Sequence, residues 1–456
     1  MTIADVISDP AALTAPAYRV GIVGGGASGA LVAARLLRDA TTALDVVIFE
    51  PRAELAKGVA YETTDPLHLL NVPARNMSAL TEDADHFRRW ADCGENDFAT
   101  RDLYGRYLQA LVRDAEAGAR PDVTLNHVRS AVIDLGVVPR PWVVTRGHGI
   151  VEFDMLVLAT GHDEPVLPTM LQGLPAARVT GNPWLPSALD AIADDADVLI
   201  IGTGLTFVDV ALSILTRTTT TRVHALSRYG LLPQVHEEPW RPAHPTPDLP
   251  TRRVDPRQVV DYVTSFGDDW RRAFDSLRPI TADLWLGMSD ATRQAFVRHL
   301  ARYWNVHRHR MAPEVARRFE EFRAAGRVDM HKAHVSEISM DGDRVRAELS
   351  DGSVLDVDHV VVCTGPSGDM TGNRLGQMLI RHGIAQPGPL GVGYLVDPRT
   401  GALIAQDGHH NTSVVTIGPL RRGVLWESIA MPEIRVQATD VAAGVLARAQ
   451  KAALSR

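Results

Sequence analysis

Cysteine is almost missing from this chain. Cys93 and Cys363 are the only two in 456 residues, far apart and in no C-x-x-C. Their placement excludes a cysteine-rich zinc site and a vicinal redox disulfide, and it suits a reducing compartment. Lysine is scarce too: Lys57, Lys332 and Lys451 stand against 44 arginines, a bias that a GC-rich genome leaves behind. Positive charge is not in excess, and the formal net charge of −8 argues against a protein that coats nucleic acid. No apolar run is long enough for a bilayer span. The most apolar stretch, residues 198–215, is broken by Gly202, Thr203, Gly204, Thr206 and Asp209, and reads as strand, turn and helix. The first eighteen residues carry Asp5 and Asp9 and no basic residue before Arg19, so they lack the charged start of a secretory signal. These absences together predict a soluble, cytoplasmic protein with no membrane or nucleic-acid partner.

What remains is an ordinary globular composition, 45% apolar and 22% charged, long enough for two or three domains. The first ordered element predicted is an apolar strand over residues 19–23. It runs into the glycine turn Gly24-x-Gly26-x-x-Gly29, a helix with an apolar stripe (Leu31, Ala34, Leu37), and a second strand, residues 45–50, closed by Glu50. Residues 81–118 read as largely helical and 122–158 as strand-rich, ending at Gly161. The order then recurs. Residues 197–201 lead into Gly202-x-Gly204, a helix from Thr206, a strand over 222–226, and strands that end at Gly365. Gly24 to Gly161 spans 137 residues and Gly202 to Gly365 spans 163, which points to a repeated nucleotide-binding architecture. The extra length falls in 235–326, a proline-rich connector followed by helical patterns.

The predicted fold is therefore α/β, with two dinucleotide-binding Rossmann-like domains and a helical insertion. One dinucleotide-binding domain is drawn from residues 1–165 and 366–456, the other, for NAD(P), from 166–234 and 327–365. The insertion, 235–326, is read as a substrate or cap region.

In the first turn Gly24 permits the tight bend, Gly26 lets a pyrophosphate approach the backbone, and Gly29 lets helix pack closely on strand. Ala27 and Ser28 open the helix, whose free N–H groups attract phosphate. Glu50 is spaced to accept hydrogen bonds from an adenosine ribose. The second turn is a degraded copy: Phe207 takes the third glycine's place, and Ser227 and Arg228 stand where Glu50 stood. A guanidinium there favours the 2′-phosphate of NADP over NAD; a decayed site with a solvated Arg228 is the other reading. The late strand ending at Gly418-Pro419 before a helix resembles the element that, in two-dinucleotide flavoproteins, aims N–H groups at the flavin end of FAD.

At this point a resemblance becomes specific. The stretch Gly58-Val-Ala-Tyr-Glu-Thr-Thr-Asp-Pro-Leu-His-Leu-Leu-Asn-Val-Pro-Ala74 is similar to the hallmark of a bacterial family of FAD/NAD(P)-binding flavoproteins. Residues 202–206, 230–233, 307–310, 418–423 and 426–428 also resemble that family's patterns, so the likeness runs from about residue 19 to 437. More distantly the chain resembles class B flavin monooxygenases, including amino-acid N-hydroxylases. The resemblance implies this fold and FAD. The F-x-G-x-x-x-H-x-x-x-W pattern of Baeyer–Villiger enzymes is absent, and Phe207 departs from the other apolar residues of relatives.

Asn71 and His68 fall where the chain passes the flavin ring. Asn71 either hydrogen-bonds the ring, NADPH or substrate, or forms an Asx-type turn beside Pro73; His68 is either an acid–base group or a satisfied core histidine. Trp426 is expected to pack on or cover the flavin, with Glu427 paired to a neighbouring arginine. Between 291 and 313 lie five arginines and three histidines without an acid. Arg308 and Arg310 there, with Arg421, are the candidates for substrate binding, against a solvated face as the alternative. The His-x-His spacing has no third ligand, so no metal is expected.

With paired cysteines absent, oxygen is the expected electron acceptor. The reading is an NADPH-dependent FAD monooxygenase that hydroxylates a small amine or amino acid through a C4a-hydroperoxyflavin. Its alternatives are a flavin oxidase or dehydrogenase with another acceptor, or a non-catalytic redox sensor or scaffold. Oligomeric state is not readable.

Overall fold

The computed structural model describes residues 17–365, 369 and 372–455. Residues 1–16 of the stretch read for a leader, and the domain boundary drawn at residue 366, lie outside those residues. Strands with apolar, largely buried centres form two sheets, one mostly and one wholly parallel. The first has the order β16-β17-β7-β1-β2-β3, built from β1 (Tyr18–Val23), β2 (Leu44–Phe49), β3 (Val123–Val128), β7 (Met155–Leu158), β16 (Ala402–Ile404) and β17 (His410–Thr416). Its strands come from both ends of the chain. Of its pairs only β16 with β17 is antiparallel. Near-continuous burial along β1, β2 and β7 is what a sheet covered on both faces requires.

The second sheet has the order β11-β10-β9-β15-β8, from β8 (Val179–Thr180), β9 (Asp197–Ile201), β10 (Arg222–Ser227), β11 (Val328–Lys332) and β15 (His359–Val362), and its pairs are all parallel. In each sheet the strand that feeds the glycine turn lies between the next strand of its unit and the unit's closing strand: β2-β1-β7 in one, β10-β9-β15 in the other. Each unit also places a three-stranded antiparallel sheet before its closing strand. These are β4 (Val132–Gly136), β5 (Trp142–Thr145) and β6 (His148–Glu152) in the first. In the second they are β12 (Val335–Asp341), β13 (Arg344–Leu349) and β14 (Val354–Val357). The repeat thus extends over whole units.

The helices Ala27–Asp39, Arg101–Ala117 and Met431–Leu454 contribute to one core with the first sheet. Leu205–Arg217 and Pro313–Ala324 do the same for the second, where Phe207 meets Phe319 edge to face at 5.5 Å. This moves a boundary. Pro313–Ala324 was read as part of the insertion, but it lies between β10 and β11 as Arg101–Ala117 lies between β2 and β3, and its Phe319 is fully buried in the second core. The insertion proper is the group of helices from Pro256 to Arg308, with its own core around Trp285, Leu277 and Phe296. Among the described residues no helix is long and apolar enough to cross a membrane.

Candidate functional site

The first glycine turn is built from close contacts. Gly24 has φ +100°, and a Cβ on it would lie 2.4 Å from the Ala159 carbonyl oxygen at the end of β7. A Cβ on Gly29 would lie 2.0 Å from the Gly24 carbonyl oxygen, so only glycine lets the helix sit this near the strand. Gly26 is the N-cap of Ala27–Asp39 and no side chain caps that helix, which leaves its first N–H groups for a ligand. Gly58, with φ +54°, backs onto Gly26, its Cβ position 3.2 Å from the Gly26 Cα. The first residue of the long 58–74 motif therefore buttresses the turn. Glu50, buried at the end of β2, accepts the Gly25 N–H at 3.0 Å and the Arg52 N–H at 3.0 Å. Its carboxylate is thereby fixed, with lone pairs left for ribose hydroxyls. Gly418, φ +73°, approaches from the far end of the chain, its Cβ position 3.0 Å from Ser28 Oγ. An uncapped helix, a cradle that a Cβ would obstruct and an oriented carboxylate fit the pyrophosphate and ribose of a dinucleotide.

The second turn copies the backbone. Gly202 has φ +107°, and its Cβ position lies 2.4 Å from the Cys363 carbonyl oxygen at the end of β15. Gly204 caps Leu205–Arg217 with φ −81° and ψ −168°, against −67° and −168° for Gly26, again with no side-chain cap. Its surroundings differ. Nothing lies within 4 Å of a Cβ built on Gly204. Ser227 Oγ accepts from Thr203 Oγ1 at 2.8 Å and from the Gly230 N–H at 3.1 Å, so it ties down the loop over the turn. Arg228 is exposed and makes no hydrogen bond or ion pair among the described residues. Thr206 lies in the helix's first turn. The closing glycines Gly161 (φ +73°) and Gly365 (φ +81°) both face open space.

Asn71 lies in the motif segment. Its backbone carbonyl accepts from His236 Nε2 at 2.9 Å, while its side-chain amide makes no hydrogen bond among the described residues. The Asx turn is made instead by Asp65, whose Oδ1 accepts the Leu67 N–H at 2.9 Å. His236 is pushed down to about 4, by burial first and then by Arg310. His68 is buried, with both ring nitrogens engaged. The Ser213 hydroxyl donates to Asp65, so His68 Nε2–H donates to Ser213 Oγ at 2.9 Å and Nδ1 accepts from Thr63 Oγ1 at 2.7 Å. Burial also holds this imidazole below its usual range. Beside it Arg101 Nη2 donates to the buried Asp209 at 2.6 Å. The satisfied-core reading of His68 matches these surroundings: it pins the motif segment to the second domain's helix.

The arginines proposed for substrate turn inward. Arg421 is 2% exposed, and its guanidinium donates to the carbonyls of Thr416 and Thr400, bracing the strand before the flavin-end turn. Arg310 is 3% exposed and pairs with Asp275. Arg308 lies between Glu427 at 3.6 Å and Glu433 at 3.4 Å. Their partners come from distant segments, which a local reading of charge runs cannot see. Glu427 accepts from Trp304 Nε1 at 2.6 Å and faces Arg308, so its ion pair is not with its immediate neighbours. Trp426 packs on Trp285, ring centroids 4.9 Å apart, and edge-on to Phe296. It helps to line an apolar cavity of about 220 Å³ in the insertion, walled by Val259, Leu284, Phe296 and Trp304, with no arginine or lysine. Sequence reasoning offered Arg422 only as a partner for Glu427. The adjacent pair Arg421-Arg422 in a tight turn is a signal that two side chains diverge.

Comparison with known proteins follows this geometry. Residues 21–163 match the model of an FAD-NAD(P)-binding family. No curated protein matches the sequence. Among solved structures, the chain is similar to the ornithine N-hydroxylase of Kutzneria sp. 744, solved with reduced FAD, NADP+ and L-ornithine. The identity is 19% and the TM-score 0.64, over 95% of this chain and 100% of that one. L-lysine 6-monooxygenase from Pseudomonas syringae gives 18% identity and a TM-score of 0.66 over the same shares. A bacillithiol disulfide reductase from Staphylococcus aureus gives 15% and 0.55, over 95% and 99%. The chain has the fold of two-dinucleotide flavoproteins, and that fold carries more than one chemistry.

Proposed function

We propose that this chain is an FAD- and NADPH-dependent monooxygenase that hydroxylates the nitrogen of a small amine or amino acid. The carrying observation is the pair of uncapped glycine turns, each on its own parallel sheet, one closed around its contacts and one open. The first would hold FAD through the Gly26–Gly29 backbone and Glu50, with Thr160 and Gly161 beside it and Gly418-Pro419 at the flavin end. The second would take NADPH at Gly204 and Thr206, with Arg228 on the 2′-phosphate. Bound FAD supplies the redox chemistry, passing electrons from NADPH to O2. The balanced reaction is amine, O2, NADPH and a proton giving hydroxylamine, water and NADP+. The protein's work is to hold both cofactors in register and to keep water from the reacting centre. Asn71, whose amide is free among the described residues, would hydrogen-bond the ring, the nicotinamide or the substrate.

Two points separate this reading from the reductase chemistry found on the same fold. Both thiols are raised by burial, and neither has a second cysteine near it in sequence. The ornithine and lysine hydroxylases, moreover, superpose more closely than the disulfide reductase, with TM-scores of 0.64 and 0.66 against 0.55. The test is stoichiometric. In air, with NADPH and a panel of amines and amino acids, one hydroxylamine should form per NADPH consumed for at least one compound. NADPH consumption that yields only hydrogen peroxide with every compound would assign an oxidase instead.

A further inference from the structure

Of the two adjacent arginines at the flavin-end turn, Arg421 is consumed by backbone carbonyls, whereas Arg422 makes no hydrogen bond or ion pair among the described residues. Its guanidinium stands 5.2 Å from the centre of the Trp426 ring, and that ring is itself held by Trp285 and Phe296. The turn beneath it is clamped. A Cβ on Gly423 would lie 2.1 Å from the Val392 carbonyl oxygen, and one on Gly393 2.4 Å from that of Leu420. Arg422 therefore starts from a fixed backbone, as a preorganised binding group needs.

The charges around it do not balance. Glu433 pairs with Arg278 at 2.9 Å and with Arg308, and Glu427 is shared by Arg308, Trp304 and, without direct contact, Arg422. Two carboxylates thus face three arginines, 278, 308 and 422. The nearby histidines do not alter the sum. His162, exposed at the surface, is lowered by partial desolvation and then by Arg422; His309 is lowered to about 3 by burial, then Arg308 and Arg422. His162 follows Gly161 at the end of the first sheet's β7, and His309 follows the last insertion helix. Arg422 consequently lies between the flavin-end strands and the insertion. Arg422 shares Glu427 with Arg308 and has no carboxylate of its own; a partly buried guanidinium short of counter-charge is costly, and a bound anion relieves that cost.

We propose that Arg422 receives the carboxylate of the substrate, which makes the preferred substrate an amino acid or other amino carboxylate rather than a plain amine. This rests on the N-hydroxylation reading and narrows it. A planar guanidinium takes a carboxylate through two parallel hydrogen bonds. Arg308, Arg310 and Arg421 position the surrounding structure and do not touch the substrate.

The test uses the FAD-loaded protein and matched compounds: L-ornithine with putrescine, L-lysine with cadaverine, L-phenylalanine with phenethylamine, L-aspartate with its dimethyl ester. Binding is read from the flavin absorbance of the oxidised protein and from thermal shift. In at least one pair the carboxylate compound should bind about ten- to hundred-fold tighter. In Arg422→Met that preference should fall below about threefold with flavin content unchanged, and Arg422→Lys should restore part of it. Arg422→Gln is read beside them in case the methionine variant does not fold. No preference in any pair, a preference that survives in Arg422→Met, or loss of FAD from the variants would each overturn the inference. Hydroxylation of plain amines without carboxylate preference overturns it while leaving the proposed function standing. Carboxylate binding through Arg422 without hydroxylamine from any compound does the reverse.

Discussion

The two glycine turns share a backbone and differ in everything packed around it. At the first, Gly29 seals helix to strand, Gly58 backs Gly26, and a buried Glu50 is locked by two backbone N–H groups. At the second, Phe207 fills the sealing position, nothing backs Gly204, and the strand ends at an exposed, unpaired Arg228. Close packing on every side suits a ligand that stays; an open turn with a cation at its rim suits one that comes and goes. The same fold unit, duplicated, is thus adapted to a resident and to an exchanging dinucleotide.

The largest way to break this contrast is at the sealing position. Gly29→Val should abolish flavin retention and soluble folding, because its Cβ would meet backbone that cannot withdraw. Phe207→Ala should cost about 3–5 kcal/mol by leaving a cavity, yet retain flavin. Flavin content and denaturant unfolding of the two variants check this; equal flavin loss in both would erase the distinction. Next in size is the contact that joins the domains. Arg101→Met leaves the buried Asp209 carboxylate unpaired, at about 3–5 kcal/mol near neutral pH. Burial already raises Asp209 above its usual range, and loss of Arg101 raises it further. The folded state then binds its proton more readily than the unfolded chain. The deficit should therefore shrink toward acid pH and grow as pH rises through the folded value, as urea unfolding at several pH values would show.

Much of this was legible in the sequence for a physical reason. A glycine turn is a local event, so Gly24, Gly26, Gly29, Gly202 and Gly204 announce their backbone by residue type and spacing. The partners of the arginines were not legible because an ion pair is not local: Arg310 is answered by Asp275 and Arg308 by Glu433, 35 and 125 residues away. Pro313–Ala324 was assigned to the insertion because helical periodicity does not say which core a helix faces; Phe319 against Phe207 decides it. The role of Gly58 against Gly26 could be recognised as a motif but explained only by the contact.

Two smaller effects sharpen the comparison. Arg228→Ala should weaken NADPH by about ten- to hundred-fold while NADH is unchanged, measured as apparent affinity in flavin reduction. Equal loss for both would remove the phosphate from the account of the second turn. His236, lowered to about 4, is buried neutral beside Asn71. Its contribution to stability should be present above about pH 6.5 and fade as pH falls toward 4, since the unfolded chain takes up the proton first. His236→Gln, which keeps a donor for the Asn71 carbonyl, should flatten that slope in thermal melts; an unchanged slope would place the titration elsewhere.

The central claim is that a resident flavin at the first turn is reduced by a nicotinamide that visits the second. Mixing the yellow protein anaerobically with NADPH, and separately with NADH, tests it most directly. The account predicts that NADPH bleaches the flavin, that NADH does so more weakly, and that air restores the colour. A flavin that neither nucleotide bleaches would contradict it.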